Sequence, residues 1–210
     1  MDGATFRERV ADAKRTELDG LDSPALLTAL TDGEPTVRRV LEAAADSEHA
    51  AHLTFSQWAD DEPNDRAREA FAAVAEREAG HRERVLDAID GEYEPSDGGT
   101  LHSYLRGREG PIVRAAAGMV GRGLVADRTH RQVVSFFADE GDTERADLFR
   151  TLREETDSGT ERGLELLEAL CDSEEEWADA HGVAEYTIQI ARDDFADALA
   201  RTGGDPSSVR

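Results

Sequence analysis

This chain of 210 residues sets 47 Asp and Glu against 24 Arg and Lys, a net charge of −23 with an isoelectric point near 4.5. Its length suits one domain of ordinary size with a full core. Its charge argues against direct binding of free RNA or DNA, because nucleic-acid proteins present a basic patch. The acids are scattered, as in Asp60-Asp61-Glu62, Asp139-Glu140, Glu154-Glu155 and Glu174-Glu175-Glu176, and Lys14 is the sole lysine. An evenly acidic, lysine-poor surface suits concentrated salt, where screening removes most self-repulsion, so the composition reads as that of a halophilic cytoplasm. The densest basic groups, Arg82 with Arg84 and Arg106 with Arg108, are interleaved with Glu or Gly and read as solvated faces or loop anchors. A single cysteine, Cys171, excludes an intramolecular disulfide and a CxxC metal centre. It ends the apolar run "LELLEALC" and reads as a buried structural thiol. The most apolar stretch, "IVRAAAGMVGRGLVA" (112–126), is short and holds two arginines, so neither a membrane span nor a signal peptide is expected, and the expected location is cytoplasmic.

Ala, Leu, Arg and Glu dominate, β-branched runs are absent, and Gly and Pro punctuate at intervals, which gives an all-α chain. The predicted elements begin with a helix over 4–18 and a short one after "DSPALL", with Ser23 as cap and Pro24 starting the turn. A long helix starts at "EPTVRRVL", with Pro35 in its first turn, and ends at "DDEPND". A second runs over 65–89. The Gly- and Pro-rich segment 90–111 follows, with one helical turn at "LHSYLR". Further helices are expected over 112–138, 143–171 and 174–201, and "GGDPSSVR" reads as a disordered tail. Two hairpins with short loops are thus separated by about 20 residues, a length that needs a reason in a compact domain. A ferritin-like four-helix bundle supplies one, because its second and third helices are joined by a long crossover. The expected organisation is accessory helices over 1–34, the bundle over 35–171 with its crossover at 90–111, and a C-terminal helix with tail over 172–210. The last helix carries Trp177, Ile188, Ala191, Phe195 and Leu199 on one face, to pack on the bundle or on a second copy in a homo-oligomer.

Each bundle helix also places a carboxylate within its apolar stripe. Glu48 falls on the line of Val37, Leu41, Ala44, Ala51, Phe55 and Trp58. Glu78 and His81 interrupt Phe71, Val74, Val85 and Ile89. Asp127 and His130 lie on the line Ile112, Ala116, Met119, Gly123, Val134 and Phe137. Glu155 lies with Leu148, Leu152, Gly159, Leu166 and Leu170. With 24 Glu and 6 His in the chain, the Glu78-x-x-His81 spacing by itself is close to a chance event; its place on the stripe is what carries information. Buried carboxylates are protonated, ion-paired or bound to a cation. Two readings therefore stand at this point. In one, Glu48, Glu78, His81, Asp127, His130 and Glu155 hold a dinuclear iron or manganese centre. In the other, arginines from neighbouring helices neutralise the acids.

The stretch "SEHAAHLTFSQWADDEPNDRAREAFAAVAEREAGHRERV" (47–85) resembles the first hairpin of the rubrerythrin/ferritin-like family. It has a Glu, an aromatic seven residues on, a short loop, then "F..VAERE..H". The resemblance implies a di-iron site built from a lone Glu and a Glu-x-x-His in each half, with Glu48, Glu78 and His81 matching the first half. The second half departs: "REETDSGTE" (153–161) reads Glu155-x-x-Ser158 and lacks the imidazole, for which His130 or His52 would have to substitute. The Cys-rich domain of complete rubrerythrins is missing, so a peroxide- or oxygen-handling oxidoreductase would need an external electron donor. Residues 101–152 also resemble ferritin-like proteins of halophilic archaea, some labelled "transcription antitermination protein", which implies a regulatory or interaction module acting through a protein partner. The two functional expectations are a di-iron or di-manganese oxidoreductase and a metal-free interaction module on the same scaffold.

Overall fold

Helix makers and sparse Gly/Pro breaks produce an all-helical chain in the computed structural model, which describes residues 1–203; the tail at 204–210 lies outside the described residues. The elements are α1 (Gly3–Ala13), α2 (Arg15–Leu21), α3 (Ala25–Leu30), α4 (Val37–Asp61), α5 (Asp65–Asp87), α6 (Thr100–Arg106), α7 (Pro111–Arg114), a π-helical segment Ala115–Gly121, α8 (Arg122–Asp139), α9 (Thr143–Leu170) and α10 (Glu174–Arg201). Several starts follow ordinary capping chemistry: Asn64 and Asp142 accept from the backbone N–H three residues on, and Ser173 with Glu176 closes a reciprocal capping box. Three expected boundaries shift. The first helix breaks at Lys14, α4 is capped by Thr36 rather than opened by Pro35, and Ser23 makes no capping bond to α3. No described helix is long and apolar enough to cross a membrane.

Short loops make α4–α5 and α8–α9 closely packed hairpins, and the segment 88–110, with α6 inside it, joins them. The N-terminal helices and α10 are built into the same body. Phe6, Val10 and Leu18 share one apolar cluster with Phe55, Trp58, Phe71, Val120, Trp177 and Ile188. A second cluster gathers Leu41, Ala45, Val85, Val133, Phe137, Phe149 and Leu152. Helices α4, α5, α8 and α9 each cross from one cluster to the other, and the crossing is polar. Glu48 lies between Ala45 and Ala51, Glu78 and His81 between Val74 and Val85, and His130 between Val125 and Val133. The core is therefore two apolar halves with a charged layer between them.

The π segment precedes the part of α8 that meets that layer. Within α8, His130 and Phe137 are buried where the 3.6-residue line places them, but the helix is turned slightly from that line: Val133 rather than Val134 is buried, Asp127 sits at the edge, and Arg122 lies inside at 5 % exposure. Gly121 permits the close approach of α10 at this point, since a Cβ there would lie 2.9 Å from the Ala184 carbonyl oxygen.

Candidate metal centre

The polar layer is built around three fully or nearly fully buried side chains, Glu48, Glu78 and His81. Each offers one ligand atom, and these atoms lie within 4.8 Å of one another. His81 directs Nδ1 between the two acids, 3.5 Å from Glu48 Oε2 and 3.9 Å from Glu78 Oε2. Among the described residues, neither Nδ1 of His81 nor Oε2 of Glu48 has a hydrogen-bond partner. Two orphaned polar atoms facing each other in a dry interior are costly unless something sits between them.

Two more of the sequence-selected residues hold this trio in place. His130 on α8 brings Nε2 within 3.2 Å of Glu48 Oε1, which leaves Oε2 turned to His81. Glu155 on α9 brings Oε2 to 2.7 Å from His81 Nε2. It is 40 % exposed at its side chain and is also gripped by Arg84. Glu155 thus stands on the far side of the ring from the trio and orients it, where the sequence placed it as a direct ligand. The inward position next to it belongs to Thr156. Asp127 is not brought to the layer. It is half-buried among Arg128, Arg131 and Arg153, with Arg153 Nε donating at 2.7 Å. His52 likewise bonds the Ala75 carbonyl at 3.0 Å instead of filling the missing-imidazole role.

Arginines occupy the rest of the layer. Arg122 donates to Glu78 at 3.2 and 3.5 Å, and Arg77 donates to its Oε1 at 2.8 Å. The sequence reading allowed for arginine neutralisation but picked out neither residue. The flanking glycines in "GRG" (121–123) were the available signal, since they mark a helix stretch pressed against its neighbours.

These contacts set the protonation. Burial opposes ionisation of Glu48, but the imidazoles beside it, His130 first and then His81, hold its carboxyl well below the usual range. Burial also opposes charge on His81, and the acids around it, Glu48, Glu78 and Glu155, outweigh burial and raise its pKa. Arg84 keeps the Glu155 carboxyl low. Without an ion, the carboxylates around the ring thus favour the protonated form of His81.

The donor set of two carboxylate oxygens and one imidazole nitrogen suits manganese, iron(II) or zinc. One divalent ion would be held by Glu48 Oε2, His81 Nδ1 and Glu78 Oε2, with His81 Nε2–H then donating to Glu155. That carboxylate–histidine pairing is the usual second support of a metal-bound imidazole. Among the described residues no second such set of ligand atoms occurs: Glu78 is shared with Arg122 and Arg77, and Asp127 is spent on arginines. No family model, curated protein or solved structure matches this chain.

Proposed function

We propose that this is a ferritin-like, rubrerythrin-related helical protein whose polar layer holds one transition-metal ion, iron or manganese, through Glu48, Glu78 and His81. The observation carrying this reading is the facing pair of unsatisfied buried atoms, Glu48 Oε2 and His81 Nδ1, with Glu78 Oε2 beside them. The dinuclear centre implied by the family resemblance is reduced to a single site, with Arg122 supplying positive charge where a second ion would otherwise be needed. Such an ion, when bound, supplies Lewis acidity and one-electron redox chemistry toward peroxide or oxygen, with electrons from a separate donor protein.

The chain's own residues have distinct tasks in this reading. Glu48 and Glu78 bind, and His81 binds through Nδ1 while its Nε2 proton is held by Glu155. His130 fixes the rotamer of Glu48, Arg122 fixes that of Glu78, and the two apolar clusters keep bulk water out. Metal analysis after anaerobic Fe(II) or Mn(II) loading and desalting tests the proposal. One ion per chain is expected, falling below about a tenth in His81→Ala; an unloaded wild type would end it.

A second reading has its own support. Glu78 is already paired with Arg122 and Arg77, Glu155 with Arg84, and the acids around His81 favour its protonated form, so the layer's carboxylates have cationic partners without any ion. A metal-free interaction module would keep its partner binding in His81→Ala and show no change in thermal stability on treatment with a chelator.

A further inference from the structure

A cavity of about 650 Å³ lies against the polar layer, enclosed by α3, α4, the segment 96–102, α8 and α10. That volume is in the usual range for a small-molecule site. Most of its wall is apolar, with Leu26, Leu27, Val40, Val125, Val133 and Phe195 contributing large side chains. Its buried polar wall is formed by Glu48, His102, Arg122 and His130, with Thr31 elsewhere spending its hydroxyl on the Leu27 carbonyl.

The chemistry of that polar wall selects a ligand. Thr54 donates its single hydroxyl hydrogen to the Ala50 carbonyl at 2.8 Å, so at 3.1 Å it must accept from Nδ1 of His102. His102 therefore exposes a lone pair at Nε2. Burial, assisted by Arg122 and Arg106, pushes its pKa down to about 3 and keeps it neutral. The guanidinium of Arg122 is engaged by Glu78. A head group that donates a hydrogen bond meets an acceptor here. An anionic one passes Asp32, Asp46, Asp194 and Asp197 on its way in, against which Arg201 is the one basic residue of the outer lining among the described residues.

We propose that this cavity binds a neutral, mostly apolar molecule ending in a single hydroxyl, of the alkylphenol kind, with the hydroxyl against His102 and the alkyl part along α3, α8 and α10. The proposal rests on the lining and stands whether or not an ion occupies the neighbouring trio.

Calorimetric titration of the whole chain with 4-pentylphenol, in chelator-treated and in Mn(II)-loaded samples, tests it. One phenol per chain is expected in both. Pentylbenzene, which lacks the donor, and 4-pentylbenzoate, which is anionic, should each bind at least about tenfold more weakly, the worth of one buried hydrogen bond. Ala44→Phe and Ala126→Phe place a ring in the cavity from two half-buried positions and should weaken the phenol about tenfold or more at unchanged helix content. The ligand series on the wild-type chain decides the matter even if both variants fold poorly. Benzoate binding as tight as the phenol, equal affinity for phenol and pentylbenzene, or no saturable heat would overturn the proposal. Manganese content of the same samples reports separately on the metal reading.

Discussion

Arg122 on α8 donates to both carboxylate oxygens of Glu78 on α5, at 3.5 and 3.2 Å, with both side chains buried. This pair ties the two hairpins together inside the charged layer and satisfies an acid that would otherwise need a second cation. Removing one partner strands the other in a dry interior, which is the costly way to break such a pair. Arg122→Met is expected to destabilise by about 3 kcal/mol, lowering the melting temperature by roughly 6–12 °C. Arg77 remains beside Glu78, so the loss should stay near the lower end of that range. Adding Glu78→Gln should recover part of it, and urea unfolding of the four proteins in the cycle checks both statements.

Glu155 and Asp127 separate orientation from binding. Glu155→Gln keeps an acceptor near His81 Nε2 but removes the charge, so manganese should bind about 10- to 100-fold more weakly at unchanged stoichiometry. Asp127→Asn touches only surface arginines and should leave metal affinity within about twofold, since its pairs are partly exposed and weakly coupled to the trio. Equilibrium dialysis of both variants checks the contrast. Equal losses in the two would contradict the placement of Asp127.

The protonation of His81 makes metal-free stability depend on pH. Its folded pKa is raised, so the contribution is fully present below the unfolded value of about 6.5 and is lost as pH rises through the folded value. The Glu48 carboxyl is depressed, so its contribution is present above about 4.5 and is lost as pH falls through the folded value. Chelator-treated protein should therefore unfold at lower urea at pH 9 than at pH 6.5, and His81→Asn should remove most of that difference. Metal affinity should move the other way, rising with pH as the competing proton leaves Nδ1.

Salt is expected to stabilise this chain. A net charge of −23 on 210 residues repels itself across the surface, and the screening length falls to about 3 Å at 1 M salt. The urea midpoint should rise between 0.1 M and 2 M KCl, and the buried Arg122–Glu78 pair should keep its coupling over that range. A flat or falling midpoint would contradict the halophilic reading.

Cys171 should behave as an inert thiol. Burial first, then Glu176 and Asp172, push its pKa up to about 11, so very little thiolate exists at pH 8. Iodoacetamide at pH 8 should leave it unmodified until the chain unfolds, as mass spectrometry would report.

Helix existence and order were legible because every long element carries a strong apolar stripe and short polar loops. Glu48, Glu78 and His81 were legible for the same reason: α4 and α5 are regular helices, so the period places them inward. On α8 the line holds for His130 and Phe137, but a slight turn of the helix puts Asp127 at its edge and brings Arg122 inside. Glu155 missed the interior by one position, since Thr156 takes the inward place on α9, and that small rotation turns a supposed ligand into the acceptor behind His81. Which side of an imidazole a carboxylate meets is a matter of helix rotation, which residue spacing along one helix does not report. The cavity, framed by α3, α8, α10 and the segment 96–102, depends on contacts between distant parts of the chain and left no local signal.

The central claim is that Glu48, Glu78 and His81 hold a single ion, and anomalous diffraction at the manganese edge from Mn(II)-soaked crystals tests it most directly. One anomalous peak per chain, within bonding reach of Glu48, Glu78 and Nδ1 of His81, is the expected result. Two peaks in the layer, a peak at Asp127, or none at all would contradict it.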